Sequence, residues 1–225
     1  MLELRIELFG KLSIHCDELP IGCLDVAKAQ ELLCYLLIYR ARPHPREALA
    51  GLLWGDSSSA QSRKYLRQVL WQLQACLDRQ TGMAVGPVVL LDADWIQINP
   101  EAALWLDIDV FEQVYSRVQG TPGRDLDTLA KRSVEEAVAL YRGDLLEGWY
   151  QDWCIFERQR FQTMYLAMLD KLMAHCEAHE DYEPGIEYGM RILRYDYAHE
   201  RTHRNLMRLH YRAGDRIAAI RQYER

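Results

Sequence analysis

Residues 59 to 78, SAQSRKYLRQVLWQLQACLD, form a helix pattern whose two faces differ in chemistry. One face is an apolar stripe at helical spacing, made of Leu66, Val69, Leu70, Leu73 and Leu77. The opposite face is mainly cationic and amide, with Lys64, Arg67, Gln68, Trp71, Gln72 and Ala75. Such a helix packs one face on a core and leaves the other free. The free face is either an ordinary solvated surface or one that grips phosphates and base edges.

The elements around this helix follow a defined order. Periodicity and turn residues predict strands at 2–9, 11–16 and 20–24, helices at 26–40, 46–54 and 59–78, and a hairpin at 88–100. Asp56 and Ser57–Ser59 supply N-cap chemistry for the third helix, and Gly82–Pro87 is predicted to be a linker. Small strands, three helices and a closing hairpin are typical of a winged helix-turn-helix, whose third helix reads a DNA groove.

The second half of the sequence predicts helices alone. From Trp105 onward strand patterns disappear, and helices are predicted at 111–118, 126–141 and 153–178. Asp181-Tyr182 and Asp215-Arg216 each precede a helix, 34 residues apart, which is the period of the tetratricopeptide repeat. The fold class is therefore mainly α with a small β component. We expect a winged helix at 1–100 and an all-α, tetratricopeptide-like domain at 101–225.

Charge and cysteine content narrow the function classes. The net charge is −6, and residues 1–100 carry 10 Lys and Arg against 11 Asp and Glu, which argues against nonspecific coating of nucleic acid. The six cysteines show no metal-ligand spacing, so a reduced, cytoplasmic protein is expected. The chain opens as a strand instead of a signal peptide, and its longest apolar run is too short to span a bilayer.

Several motifs then resemble one known family. They are LRIELFG at the start, KAQELLCYLL, LLWGD, LDIDVFEQV at 106–114, YRGDLLEGWYQDW at 141–153, ERQRFQTMYLAMLDKL at 157–172 and the closing AIRQYER. Their order and spacing resemble the N-terminal half of the Streptomyces antibiotic regulatory protein family, over nearly the whole chain. That family joins an OmpR-type winged helix to a bacterial transcriptional activator domain.

The resemblance implies a sequence-specific DNA-binding transcriptional activator, with double-stranded promoter DNA and RNA polymerase as partners. By position it implies DNA contacts along the third helix, at Arg63, Lys64, Arg67 and Gln68, with Trp71 and Gln72 on the same face. It implies phosphate contacts at Arg46 and Lys28. It places the polymerase contact in the loop Trp54, Gly55, Asp56, Ser57 and Ser58. The family binds direct repeats near promoters, which favours two copies side by side on DNA. The resemblance also implies a cytoplasmic, nucleoid-associated location.

One stretch departs from the family pattern. The family keeps basic residues in the second half of the recognition helix, whereas this chain has Trp71-Gln72-Leu73-Gln74-Ala75, without a positive charge. Removal of a base contact costs about 1–3 kcal/mol of discrimination. Weak, altered or absent DNA binding therefore stays open, as does a role for Trp71 either in stacking on DNA or in packing under the hairpin.

Other motifs favour structural roles. Trp149, Tyr150 and Trp153 follow the GDLLEG turn and are expected to pack between the domains, with a peptide groove as the alternative. His199-Glu200-Arg201-Thr202-His203 matches H-E-x-x-H, and Glu224 could serve as a third ligand, but the match falls where a repeat helix begins. His175 and His179 are expected to lie at the end of a helix, exposed to solvent. No nucleophile or phosphate-binding motif is present, so we expect no enzyme, cofactor or metal.

Two functions remain from the sequence. The first is a DNA-binding regulator acting through the helix at 59–78. The second is a protein-interaction or signalling module that keeps the winged-helix shape without binding DNA. The chain ends at Arg225 inside a predicted repeat helix, which favours a longer protein with a sensor or nucleotide-binding region beyond this point.

Overall fold

The computed structural model describes residues 4–17, 19–22, 24–81 and 87–224, without the side chains of residues 80 and 81. It divides into two compact units. The first comprises Met1–Leu8 and Leu12–Ile108, and the second comprises Phe9–Lys11 and Asp109–Arg225. The sequence-based boundary at residue 100 stays a prediction, and the linker predicted at Gly82–Pro87 lies outside the described residues except for Pro87.

A four-stranded sheet opens the first unit, in the order β3-β2-β1-β7. Its strands are β1 (Leu4–Glu7), β2 (Ser13–Cys16), β3 (Leu19–Pro20) and β7 (Leu104–Leu106). β1 and β2 pair antiparallel, with Ile6 opposite Ile14, because their alternating apolar residues face the core. The predicted strand pair is therefore confirmed within the described residues.

Strand β7 corrects the prediction that strands end before Trp105. Leu104–Leu106 pairs parallel to β1, with Leu4 opposite Leu104. A strand of three residues is too short for a clear alternation, and its partner lies about a hundred residues away in sequence. The third strand is also shifted, to Leu19–Pro20 instead of 20–24, and Cys23 lies outside the described residues.

Three helices and a small sheet complete the first unit. The helices are α1 (Ala27–Ile38), α2 (Arg46–Leu53) and α3 (Ser59–Thr81). The sheet has the order β4-β6-β5, with β4 (His44–Pro45), β5 (Val89–Leu91) and β6 (Trp95–Ile98). β5 and β6 form the predicted hairpin, closed by the Asp92 amide donating to the Trp95 carbonyl at 3.0 Å. The strand at His44–Pro45 is not predicted by the sequence, since Pro43 and Pro45 suggest only a helix break.

The second unit is helical. Its helices are α4 (Asp107–Val118), α5 (Thr128–Leu140), α6 (Asp152–Ala178), α7 (Tyr182–Tyr195), α8 (Glu200–Arg212) and α9 (Arg216–Tyr223). α7 and α9 begin 34 residues apart, as the sequence repeat predicts. Asp215 caps α9 by accepting from the Ala218 amide at 2.8 Å, whereas the Asp181 side chain does not cap α7.

An aromatic cluster lies at the centre of the second unit. Phe161 on α6 is fully buried, with its ring centroid 5.5 Å from Phe9 and 6.1 Å from Phe111. Tyr141 stacks on Tyr165 at 4.2 Å. Burial of these large rings stabilises the unit, since each removes a large apolar area from water.

The described cysteines depart from the expectation in one place. Cys16, Cys34, Cys154 and Cys176 take no part in a disulfide and are buried, which suits small apolar side chains. Cys76 is disulfide-bonded, so the expectation of fully reduced cysteines is wrong at that position. Among the described residues, no helix combines the length and apolarity that a membrane crossing requires.

Candidate nucleic-acid interface

Helix α3 divides into a buried and an exposed face as its sequence predicts. Its apolar stripe is buried throughout, at Leu66, Val69, Leu70, Leu73 and Leu77. The residues facing the other way are exposed, at Arg63, Lys64, Arg67, Gln68 and Trp71, and Gln72 is half-buried. The stripe fixes the rotation of the helix about its axis, so the cationic face points away from the core.

The start of α3 is tied to the loop before it. The Ser58 hydroxyl accepts from the Gln61 amide at 3.4 Å, and the buried Ser62 hydroxyl donates to the Trp54 carbonyl at 3.0 Å. The Trp54 ring packs on Tyr65, with centroids 5.9 Å apart. The loop from Trp54 through Gly55, Asp56, Ser57 and Ser58 is thus fixed at both ends, with Gly55 and Asp56 exposed and Ser57 half-buried.

Three predicted contact residues are free to meet a ligand. The side chains of Lys64, Arg67 and Gln68 form no hydrogen bond or ion pair with any residue that the structure describes. Side-chain N–H groups without a protein partner are hydrogen-bonded to water until a ligand replaces that water. Binding an anion therefore breaks no internal contact at these positions.

The other three predicted cations are engaged within the protein. Arg63 lies 3.6 Å from the Glu47 carboxylate, and Lys28 lies 2.8 Å from that of Glu31. Arg46 donates to the Asp92 carbonyl in the hairpin turn at 2.9 Å. The Arg63–Glu47 pair is exposed, and exposed pairs contribute about 0–1 kcal/mol, so a phosphate can compete for Arg63. The Lys28 pair differs, because the Glu31 carboxylate is buried and loss of its cation would leave a buried charge without a partner. The predicted DNA contact of Arg63 and the predicted phosphate contacts of Arg46 and Lys28 stay predictions.

Carboxylates next to α3 are not predicted by the sequence. Glu47 and Asp94 line the same shallow groove as Arg46, Arg63 and Arg67. The groove forms where the start of α2, the start of α3 and the hairpin turn meet. No local sequence signal shows that Glu47 lies beside Arg63, because the contact depends on the packing of α2 on α3. The potential at this end of α3 is therefore mixed.

Trp71 is 69% exposed, so the interpretation that the hairpin covers it is wrong. An exposed indole on a helix face is a ready surface for stacking or for apolar contact. Together with Gln68 and Gln72 it makes the second half of this face uncharged, but still able to make apolar contacts and hydrogen bonds.

The aromatic residues after the GDLLEG turn all lie in the second unit. Trp153 is buried at the start of α6, Trp149 is half-buried with its ring 6.4 Å from that of Trp153, and Tyr150 is 80% exposed. Arg158 holds the turn by donating to the carbonyls of Leu146 and Trp149 at 2.9 and 3.0 Å. Packing of the tryptophans and Tyr150 between the domains stays a prediction.

The H-E-x-x-H histidines have structural partners. His199 caps α8, with its Nδ1 accepting from the Thr202 amide at 3.3 Å. His203 has both ring nitrogens engaged, Nε2 with the Tyr197 carbonyl at 2.7 Å and Nδ1 with the Gln222 amide at 2.8 Å. A zinc ligand needs one free ring nitrogen. Within the described ranges, no three metal-ligating side chains come together.

His175 is buried, which corrects its assignment to a solvent-exposed helix end. Its ring stacks on His179 at 4.0 Å. Burial lowers the pKa of His175, and the charges of His179 and Lys131 lower it further.

This pKa predicts a loss of stability in acid. Because the unfolded chain binds a proton at His175 more readily than the native one, stability falls as the pH drops below the ordinary histidine pKa of about 6.5. The expected contribution is at most about 1.4 kcal/mol per pH unit. Urea unfolding at pH 7.5 and 5.5 should show a smaller loss for His175→Leu than for the unsubstituted chain. Equal losses in both proteins would contradict the prediction.

Comparisons with known proteins agree with this architecture. Residues 106–225 match the family of the bacterial transcriptional activator domain. Among solved structures, the Mycobacterium tuberculosis protein EmbR, in complex with a low-affinity phosphopeptide, has a TM-score of 0.71 at 19% identity. The alignment covers 100% of this chain and 59% of that chain, so this chain spans little more than half of EmbR. No curated protein matches the sequence.

The family match covers more than half of the chain, and the fold likeness extends over all of it. Both agree with the resemblance to Streptomyces antibiotic regulatory proteins that the motifs indicate. The chain belongs to the bacterial transcriptional activator domain family of transcriptional regulators.

Proposed function

We propose that this chain is a sequence-specific DNA-binding regulator that inserts α3 into the major groove of promoter DNA. In this proposal α1, α2, α3 and the hairpin of β5 and β6 act as a winged helix, with the hairpin as the wing. The second unit acts as a tetratricopeptide-like domain that transmits or receives protein contacts.

One observation carries the proposal. Lys64, Arg67 and Gln68 lie on the exposed face of α3, and no described residue pairs with them. Arginine and lysine donate to guanine O6 and N7, and glutamine pairs with adenine N6 and N7, all at the major-groove edge. The buried leucine stripe holds these groups on one rigid helix face, which is what base recognition requires.

The loop Trp54–Ser58 is the proposed contact for RNA polymerase. Its exposed residues Gly55 and Asp56 lie between the anchored ends Trp54 and Ser58, so the loop keeps its shape without a partner. A preordered loop loses little conformational entropy on binding. Two copies side by side on direct repeats would bring two such loops to one face of the DNA.

A second candidate has its own support. Glu47 and Asp94 beside the arginines weaken the positive potential, and Trp71 offers an exposed apolar contact. These features suit a surface that binds a protein partner instead of DNA. In that case the exposed face of α3 is a protein-binding surface on a degenerate winged helix.

Selection from random duplexes separates the two candidates. The full chain is incubated with a pool of random-sequence DNA, and bound duplexes are recovered over several rounds at about physiological salt. A DNA-binding regulator enriches a defined sequence, and binds it at least about 10³-fold more tightly than an unrelated duplex. A pool that stays random after selection would overturn the proposal and favour the protein-binding candidate.

Trp71→Ala tests whether the exposed indole belongs to the interface. Because the side chain is 69% exposed, the free energy of unfolding should change by less than about 0.5 kcal/mol. The affinity for the selected duplex should fall by about 1 kcal/mol or more, because the indole no longer makes an apolar contact with a thymine methyl in the major groove. Urea unfolding and a titration of labelled duplex measure the two quantities. Unchanged affinity would place Trp71 outside the interface.

A further inference from the structure

An exposed apolar groove runs between α8 and α9 in the second unit. We call it the α8–α9 groove, and its apolar residues are Met207, Tyr211, Ala219, Ile220 and Tyr223. Ile220 is 60% exposed and Tyr223 is 79% exposed, although isoleucine and tyrosine at helical spacing normally face a neighbour. These side chains lie next to one another, so they offer apolar surface to a partner.

Arginines surround this apolar floor. Arg204, Arg208 and Arg212 recur every fourth residue along one edge of α8, and Arg216 begins α9. Within the described part of the chain, no carboxylate lines the groove. The arrangement contrasts with the whole chain, whose net charge is −6.

Nearby carboxylates offset only part of this charge. Glu177 on α6 pairs with both Arg208, at 3.1 Å, and Arg212, at 3.6 Å, and Glu200 lies 3.7 Å from Arg204. Arg216 lies over the Tyr211 ring at 5.9 Å, and no described carboxylate pairs with it. Four guanidinium groups thus face two carboxylates, which leaves a positive rim around an apolar floor.

We infer that the α8–α9 groove binds an acidic amphipathic helix of a partner protein. A cleft between two packed helices accepts the ridge of a third helix, and helix-in-groove recognition uses apolar anchors at i, i+3, i+4 and i+7. α9 has eight residues, so a partner helix of about three turns covers it. Glutamate or aspartate beside the anchors would meet the arginines of the rim.

A second copy of this chain fits the groove less well. A two-fold symmetric dimer places the same patch on both sides of the contact. The arginine rims would then face one another, and like charges at an interface cost free energy. The charge of the rim therefore favours an acidic partner over self-association through this face.

A pair of designed peptides tests the inference. The first is a fluorescent helix of about 14 residues with leucine at the anchor positions and glutamate beside them. The second keeps the leucines and replaces every glutamate with lysine. Anisotropy titrations with the full chain should show binding of the acidic peptide at least about tenfold tighter at low salt, with the difference shrinking as salt rises. Equal affinity for the two peptides would overturn the inference.

Matched variants locate the binding site. Ile220→Ser should lower the affinity for the acidic peptide at least about fivefold. Ile217→Ser removes a 65% exposed side chain outside the groove, so it should leave this affinity unchanged. Likewise, Arg216→Glu should lower the affinity for the acidic peptide more than Arg221→Glu on the same helix. Equal effects within either pair would overturn the assignment. A dimer of this chain would also overturn the assignment, if Ile220→Ser abolishes the dimer and the peptide competes with it. The groove would then be an interface between two copies of the chain.

Discussion

Alanine at both Lys64 and Arg67 is expected to lower the affinity for the selected duplex by about 2–6 kcal/mol, since each base contact contributes about 1–3 kcal/mol. Both side chains are exposed and have no partner among the described residues, so the native fold should be as stable as before. Log K falls with log salt, with a negative slope. If one or both side chains also neutralise a phosphate, this slope should become less steep by about 0.9 for each phosphate left without its cation. Titrations of labelled duplex over a salt series measure both effects.

A charge-matched control separates direct contact from long-range attraction. Arg124→Ala with Arg132→Ala removes the same net charge from two exposed sites in the second unit. That pair should change the affinity by less than about 1 kcal/mol, through screened long-range attraction alone. If the two double variants weaken binding equally, α3 does not carry the interface.

Phe161→Ala is expected to destabilise the second unit by about 3–5 kcal/mol. The ring is fully buried, with Phe9 and Phe111 packed around it, so truncation leaves a cavity that the helices cannot fill without moving. For a chain of this size, each kcal/mol corresponds to about 2–4 °C in the unfolding midpoint. Thermal unfolding followed by circular dichroism should therefore show a large decrease in the midpoint of the second unit.

Phe156 on the same helix provides the matched control. Its side chain is 72% exposed, so Phe156→Ala removes the same atoms without opening a cavity. We expect a change of less than about 0.5 kcal/mol in the free energy of unfolding. Similar destabilisation by the two variants would show that the aromatic cluster does not organise this unit.

The sequence predicts α3 well because burial and periodicity agree over about six turns. Leu66, Leu70, Leu73 and Leu77 repeat at helical spacing, and each is buried. The same physics places Lys64 and Arg67 on the open face, since a helix buried on one side must expose the other. Long elements with a strong pattern are predictable because each residue adds to one signal.

Other features depend on contacts that no local pattern records. Strand β7 exists because Leu104–Leu106 finds β1, and the engagement of Arg63 depends on α2 bringing Glu47 within 3.6 Å. His175 shows the same limit, since its burial follows from helix packing and not from its polar neighbours in sequence. Tertiary neighbours of this kind decide which of the predicted Lys and Arg side chains lack an intramolecular partner. The proposed DNA contacts of those side chains have the best support.

Methylation interference on the selected duplex tests the central claim, that α3 enters the major groove. Dimethyl sulfate methylates guanine at N7, on the major-groove edge, and adenine at N3, on the minor-groove edge. We predict that N7 methylation within the selected site blocks binding of the full chain, because the proposal has Lys64 and Arg67 donate to that edge. Interference at adenine N3 alone, or at neither position, would contradict the claim.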